Sequence, residues 1–128
     1  MSLLLIPLAY AAIEMDPTQI TCNSSLKFTH VQTGFHLTSS EINWGSGSGQ
    51  QSVTATSTPG DSTSLWMIAE PDQKDICTAG TAMVCNSVIR LTHLLTGKNL
   101  HSHEFRSPLT GQQEVSAFGT DGQGDGGD

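Results

Sequence analysis

Hydrophobic and polar positions alternate with a period of two along several short stretches of this chain, the pattern of a strand with one face turned inward. Leu26, Phe28 and His30 alternate with Lys27, Thr29 and Val31, and Ile89, Leu91 and His93 alternate with Arg90, Thr92 and Leu94. Each run meets a turn signal, Thr33-Gly34 or Thr96-Gly97, and a second run follows it, as in a hairpin. The pattern predicts strands over residues 26–31, 35–40, 51–55 and 65–69, and again over 88–94, 99–104 and 114–118. Pro59-Gly60-Asp61 and Pro71-Asp72 supply the turns that bound the fourth strand.

The last three strands repeat the first three in sequence as well as in pattern. Residues 22–39, CNSSLKFTHVQTGFHLTS, align without a gap onto residues 85–102, CNSVIRLTHLLTGKNLHS, with nine of eighteen positions identical. After a one-residue slip the match resumes, Gly49-Gln50-Gln51-Ser52-Val53 against Gly111-Gln112-Gln113-Glu114-Val115. Units of this kind cannot bury an apolar face alone, so copies must associate around an axis. An all-β fold, the β-trefoil, is the natural arrangement for such units.

The words that carry the repeat also carry a resemblance. Leu91-Thr92-His93, Thr96-Gly97, Leu100 and Ser102, with Gly47-Ser48-Gly49-Gln50-Gln51-Ser52-Val53-Thr54, resemble the MIR domain family. Trp44 to Thr54, Arg90 to His93, Thr96 to His103 and Gln113 to Gly119 are similar to its soluble stromal cell-derived factor two group. The resemblance implies a β-trefoil over residues 19–118 of which about two of three lobes are present, the chain being expected to be truncated. It further implies a non-enzymatic protein of the endoplasmic reticulum lumen or a secreted one. Its partners would be a lumenal J-domain co-chaperone and unfolded client proteins, acting in folding quality control. The runner-up is a carbohydrate-binding module of the protein O-mannosyltransferase type, with glycans as ligands.

Composition narrows these readings. Twelve Asp and Glu against five Lys and Arg give a net charge of -7, which provides no basic footprint for nucleic acid. Thirty of the 128 residues are Ser or Thr, which suits short strands and turns. The apolar run over residues 2–13 is too short to span a membrane. Its length and Ala9-Tyr10-Ala11 make residues 1–12 a candidate signal peptide, although no Lys or Arg precedes the run. Asn23-Ser24-Ser25 is then a candidate glycosylation site at Asn23. Residues 119–128 hold five of the thirteen glycines and three aspartates, and read as a flexible tail.

Candidate chemistry is sparse. His101 and His103 share a strand face, and with His93 they suggest a three-nitrogen metal site, but the first copy has Thr38 and Ser40 there, so no metal is expected. His30 and His93 recur at one repeat position and read as partly buried, hydrogen-bonded imidazoles. Gly45-Ser46-Gly47-Ser48-Gly49 lacks the Lys-Ser/Thr of a phosphate loop and reads as a flexible hairpin loop. No pattern proposes a nucleophile, a catalytic carboxylate pair or a cofactor. Trp66, among Leu65, Met67 and Ile68, reads as core, which leaves Trp44, His101, His103 and Arg106 as binding candidates. Of three cysteines, Cys22 and Cys85 hold equivalent repeat positions that a pseudo-threefold axis keeps beyond the ~7 Å bridging limit. A Cys77–Cys85 disulfide is therefore expected, with Cys22 free for a partner in a third lobe.

Overall fold

The computed structural model describes residues 19–70 and 77–128. The candidate signal peptide lies outside the described residues. Among the described residues seven strands form one antiparallel sheet: β1 (Ser25–Leu26), β2 (His36–Asn43), β3 (Gln51–Thr56), β4 (Trp66–Ala69), β5 (Arg90–His93), β6 (Asn99–Arg106) and β7 (Gln113–Phe118). Their order across the sheet is β1-β4-β5-β6-β7-β3-β2, so the two copies interleave. The fold is all-β, with β1 to β4 forming one lobe of a β-trefoil and β5 to β7 repeating its first three strands.

The repeat is a repeat of hydrogen bonds. In the first copy His30 N–H donates to Phe35 O at 2.8 Å and Gly34 N–H to His30 O at 2.8 Å; in the second His93 donates to Lys98 O at 2.7 Å and Gly97 to His93 O at 2.8 Å. Both turns need a glycine at φ 70° or 66°, a left-handed backbone that a side chain would strain. Both histidines hold their Nδ1 2.9 Å from the hydroxyl of Thr33 or Thr96. The Thr-His-x-x-Thr-Gly word is thus a closed turn in which every polar residue has a bond to make.

The hairpin after it repeats as well. Ser39 Oγ–H donates to Ser52 O at 2.8 Å and Ser102 Oγ–H to Glu114 O at 3.0 Å. The amides of Gln51 and Gln113 donate to those serine oxygens at 2.8 and 3.0 Å. Asn23 and Asn86, at one repeat position, both take positive φ, a conformation Asn tolerates better than most residues.

The apolar core is small: Val53, Trp66 and Ala117, with Phe28, Leu37, Leu91 and Leu100 packed against it. Trp66 is fully buried, as its neighbours in sequence imply, and its indole N–H donates to Leu37 O at 3.1 Å. Polar side chains fill the remaining interior, and most stay because they are paired; among the described residues Ser64 Oγ and Arg90 Nε have no hydrogen-bond partner. The His93 Nε2–H donates to Thr63 O at 2.9 Å while Nδ1 accepts from Thr96, whose hydroxyl in turn accepts from Gln51 at 3.0 Å.

Four expectations are corrected. The disulfide joins Cys22 to Cys77, not Cys77 to Cys85, with Cα atoms 6.0 Å apart, and Cys85 is a free, exposed thiol. The reason is a pairing that the repeat did not announce. Cys22 N–H donates to Thr81 O at 2.8 Å, Gly80 to Cys22 O at 3.1 Å and Met83 to Ile20 O at 2.9 Å, which lays the chain after Cys77 directly along Cys22. The expectation that Cys22 awaits a partner elsewhere falls with it.

The second correction is to the alternation in β5, where Arg90, Thr92 and His93 are all buried while Ile89 is 38% exposed. Thr92 is bonded to Asn99 Oδ1 at 2.8 Å, and Arg90 Nη2 lies 3.4 Å from Asp128 Oδ2 and 3.2 Å from Asp125 O. The third concerns residues 119–128, which are not a free tail. They fold back over this strand, with Gly122 N–H bonded to Gly97 O at 2.7 Å and the Asp128 side chain fully enclosed.

The last correction is that His30 is exposed, unlike its repeat-mate His93. The strand expected over residues 26–31 likewise contracts to Ser25–Leu26. In the second copy β4 runs alongside β5 with Trp66 opposite His93 and Ala69 opposite Arg90. Among the described residues nothing takes the corresponding place beside residues 27–30.

Candidate functional site

The binding candidates at the far end of β6 gather around Glu114, a residue that period-two reading treats as an outward polar position. It stands where the first copy has Ser52, and it is fully buried. Burial pushes its carboxyl group up, but hydrogen bonds from Ser48 and His103 outweigh this and leave the pKa below the ordinary value. His103 Nε2–H donates to Oε1 at 3.0 Å, the Ser48 hydroxyl donates to the same oxygen, and the Ser48 backbone N–H approaches Oε2 at 3.5 Å.

The Gly-Ser loop makes this contact possible. Gly47 has φ 74°, and a Cβ built on it would lie 2.2 Å from Glu114 Oε2 and 3.3 Å from Arg106 O. The loop of residues 45–49 is therefore seated on Glu114 rather than loose, and it cradles a carboxylate instead of a phosphate. The order of contacts, serine to carboxylate to imidazole, leaves the imidazole unbonded to the serine. This is not the serine-imidazole-carboxylate arrangement that activates a nucleophile.

His101 belongs to a second polar group. It is buried, packs edge to face on His103 with ring centroids 5.0 Å apart, and also lies 5.0 Å from the Phe118 ring. Its Nδ1 sits 3.0 Å from Asp128 Oδ1 and 3.5 Å from Asp125 Oδ1. Ligating atoms of His101, Asp125 and Asp128 fall within 4.8 Å of one another. Arg90 already stands against Asp128, and the Asp125 and Gly127 backbone amides complete the turn: Asp125 N–H donates to Asp128 Oδ2 at 2.6 Å and Gly127 N–H to Asp125 Oδ1 at 2.8 Å. The geometry is that of a clasp which pins residues 125–128 to β5 and β6. His93, tied to Thr63 and Trp66, is not part of it.

This turn too has a counterpart in the first copy. Asp61 caps the short 3-10 helix Ser62–Ser64 by accepting from Thr63 N–H at 2.9 Å, as Asp125 accepts from Gly127. The cap bond holds the Asp61 carboxyl group below its usual range.

Trp44 and Arg106 line separate depressions. The Trp44 indole N–H donates to Val115 O at 3.1 Å, which fixes the ring over a groove of about 300 Å³ shared with Thr54, Leu109, Thr110 and Gln113. Arg106 is exposed, bonded to Gly111 O at 2.8 Å, and borders a polar hollow with Glu104 and Gln113. Asn23 is exposed on its turn, so its side chain is open to solvent. Of the sequence candidates, then, only His101 and His103 are brought together. Glu114, Arg90 and Asp128 went unrecognised, and the repeat alignment held a sign only for Glu114, which stands where the first copy has Ser52; Arg90 replaces Lys27 with the same charge, and Asp128 lies beyond the aligned stretch.

A third feature is apolar. An open cavity of about 410 Å³ is lined by Phe28, His30, Phe35, Leu37, Leu91 and Leu100 among others. Among the described residues no helix is long and apolar enough to cross a membrane.

Comparison with known proteins agrees with this architecture. Stromal cell-derived factor 2 of Mus musculus is 45% identical over 126 residues, covering 98% of this chain and 59% of that protein. Stromal cell-derived factor 2-like protein 1 of Bos taurus is 49% identical over 114 residues, 89% of this chain and 51% of that one. The chain thus spans about half the length of the curated relatives it matches. Among solved structures, the SDF2-like protein from Arabidopsis thaliana superposes with a TM-score of 0.80 at 43% identity, over 86% of this chain and 60% of that one. A chain of the S. cerevisiae protein O-mannosyltransferase Pmt1-Pmt2 complex bound to the sugar donor gives 0.74 at 26% identity, over 86% of this chain and 15% of its own. The family model of the MIR domain matches residues 47–128, the stretch that holds the Gly-Ser loop, the second Thr-His turn and the clasp: the chain belongs to the MIR domain family.

Proposed function

We propose that this chain acts without catalysis in folding quality control in the endoplasmic reticulum lumen, where it binds a lumenal J-domain co-chaperone and unfolded client chains. The observation that carries the reading is the 42–49% identity with stromal cell-derived factor 2 proteins from animals to Arabidopsis, over most of this chain. Two features of the molecule support it. A disulfide persists in an oxidising compartment, and the Cys22–Cys77 bond closes onto a buried sulfur. The cavity beside His30 offers Phe28, Phe35, Leu37, Leu91 and Leu100 to solvent, the apolar surface that an unfolded chain would engage.

The test is a pull-down of purified lumenal J-domain co-chaperones on the immobilised chain, with a reduced, carboxymethylated client added. Retention of co-chaperone and of unfolded client supports the reading. Retention of neither, with the chain folded, refutes it.

A second reading, a carbohydrate-binding module, is favoured by Trp44. Its ring is fixed beside the hydroxyls and amide of Thr54, Thr110 and Gln113, and ring stacking with polar neighbours is the chemistry sugars select. Saturable binding on a glycan array, lost in Trp44→Ala, supports this alternative, and an array with no response removes it.

A further inference from the structure

Two turns of the repeat, at Asn23 and Asn86, share one backbone conformation and differ in one chemical feature. Both asparagines are exposed, and both take a left-handed φ, 60° and 69°. In the first turn Ser24 N–H donates to Thr21 O at 3.1 Å, and the hydroxyls of Thr21 and Ser24 lie 2.6 Å apart. The Asn23 backbone N–H donates to Ile68 O at 2.9 Å, while among the described residues its carboxamide takes no part in closing the turn. The backbone is thus tied down and the side chain is left in solvent.

Ser25, two residues on, is exposed as well, at the start of β1 opposite Met67. The second turn has Val88 in that place. Asn23-Ser24-Ser25 is therefore the one Asn-x-Ser/Thr word among four asparagines, with no proline at its centre, and the fold keeps both the amide and the hydroxyl residue clear. The finished turn is nevertheless a poor acceptor, because Cys22 is bonded to Cys77 and to the backbone of Thr81 and the segment cannot leave to enter an enzyme. Order of synthesis resolves the conflict. Cys77 follows Cys22 by 55 residues, about 3 to 11 s of synthesis at ~5–20 residues per second. Through most of that interval Ile68, Cys77 and Thr81 are not yet made, and residues 21–25 stay open.

We propose that Asn23 is an N-glycosylation site, modified before the Cys22–Cys77 bond closes and then carried outward on the finished turn. The proposal rests on the lumenal part of the quality-control reading. In the transfer the Asn23 amide nitrogen bonds the anomeric carbon of an oligosaccharide. The bond from that carbon to the donor, a lipid pyrophosphate, breaks; the pyrophosphate leaves with the electron pair, and the amide proton passes to a base of the transferase.

The full chain is expressed in mammalian cells in two forms, as it stands and behind a cleavable secretory leader, each with and without Val88→Thr. That change completes a sequon on the matching exposed turn, at Asn86, and reports entry into the lumen. A gel shift reversed by peptide N-glycosidase F, which leaves aspartate at position 23, is expected in both forms. Asn23→Gln and Ser25→Ala each abolish modification at position 23, and Ser25→Thr, which keeps the hydroxyl, retains it. Offered to opened microsomes, the oxidised, folded chain stays bare and the reduced, unfolded chain is modified. A leader-bearing chain bare at Asn23 and occupied at Asn86 overturns the proposal and leaves the lumenal reading standing. A chain bare at both positions without the leader, and occupied at both with it, overturns the lumenal reading instead. Equal modification of the oxidised and reduced chains overturns the order of events.

Discussion

Cleaving the Cys22–Cys77 bond tests the feature on which sequence and structure disagree most sharply. The two half-cystines are separated by 55 residues. In the chain-entropy description, releasing a loop of that length from the unfolded ensemble costs about 4 kcal/mol of stability, against about 2.5 kcal/mol for the eight-residue loop of a Cys77–Cys85 bond. For a chain of this size about 4 kcal/mol is a large share of the total, of the order of 5 to 15 kcal/mol. Cys77→Ser is the better perturbation because Cys77 is half-buried, whereas truncating the fully buried Cys22 adds a packing loss. Urea unfolding followed by Trp66 fluorescence gives the magnitude, and Cys85→Ser is the control, expected to lie within about 0.5 kcal/mol of the parent as an exposed site. Peptide mapping without reduction supplies the connectivity. A Cys77–Cys85 peptide, or Cys85→Ser as costly as Cys77→Ser, refutes the pairing and the account of residues 20–22 lying along residues 80–83.

Other consequences are open to direct measurement. Burial holds His93 below its ordinary pKa, so the folded state takes up fewer protons than the unfolded one; its contribution is intact above about pH 6.5 and is lost as pH falls below that. Urea titrations between pH 7.5 and 5 are expected to show this loss, with a flatter profile in His93→Gln. Gly47→Ala places a methyl group on the Glu114 carboxylate and strains a left-handed backbone, and should cost about 1 to 3 kcal/mol by the same unfolding assay. Asp128→Ala leaves Arg90 buried with its main partner removed; a loss of about 3 kcal/mol is expected, along with faster amide hydrogen exchange at Gly122 and Ser102, whose N–H groups are bonded to or within residues 119–128.

The strands were legible because each is written in a local code. Five of the seven, β3 to β7, lie within two residues at each end of the spans read from alternation and turn residues, and β2 (His36–Asn43) runs three residues past its expected end. The failure at residues 27–31 has a different origin. Alternation states that a strand is possible, but hydrogen bonding to neighbours makes it one, and here residues 28–30 pair on one side only, through the single bridge Thr29–His36, with no second neighbour among the described residues. Arg90 misled for a related reason. A charged residue reads as solvent-facing until its partner is known, and the partner, Asp128, lies in a glycine-rich run that has the composition of a disordered tail. The disulfide was hidden because the repeat alignment has no counterpart for Cys77, so arguments from equivalence had nothing to say about where that residue folds.

The same comparison of copies explains why the candidate site sits in the second lobe. Thr38 and His101 are repeat-mates, and each reaches for the capped turn of its own lobe. Thr38 donates to Thr63 O at 3.0 Å, and His101 meets the Asp128 carboxylate at 3.0 Å. A hydroxyl facing a carbonyl needs no charge, whereas an imidazole facing a carboxylate adds one, and Arg90 on the neighbouring strand offsets it. Ser52 and Glu114 differ in the same way. The serine donates to Ile42 O at 2.8 Å within its hairpin, while the longer carboxylate reaches out to the Gly-Ser loop of the other copy. The His101 exchange puts charge into a contact that stays within its own lobe, and the Glu114 exchange converts a bond made inside one hairpin into a charged contact between the two copies. Charged, buried contacts are costly to break and exacting in geometry, so they fix how the second lobe and the loops around it are seated. The first lobe has the neutral residues at these positions.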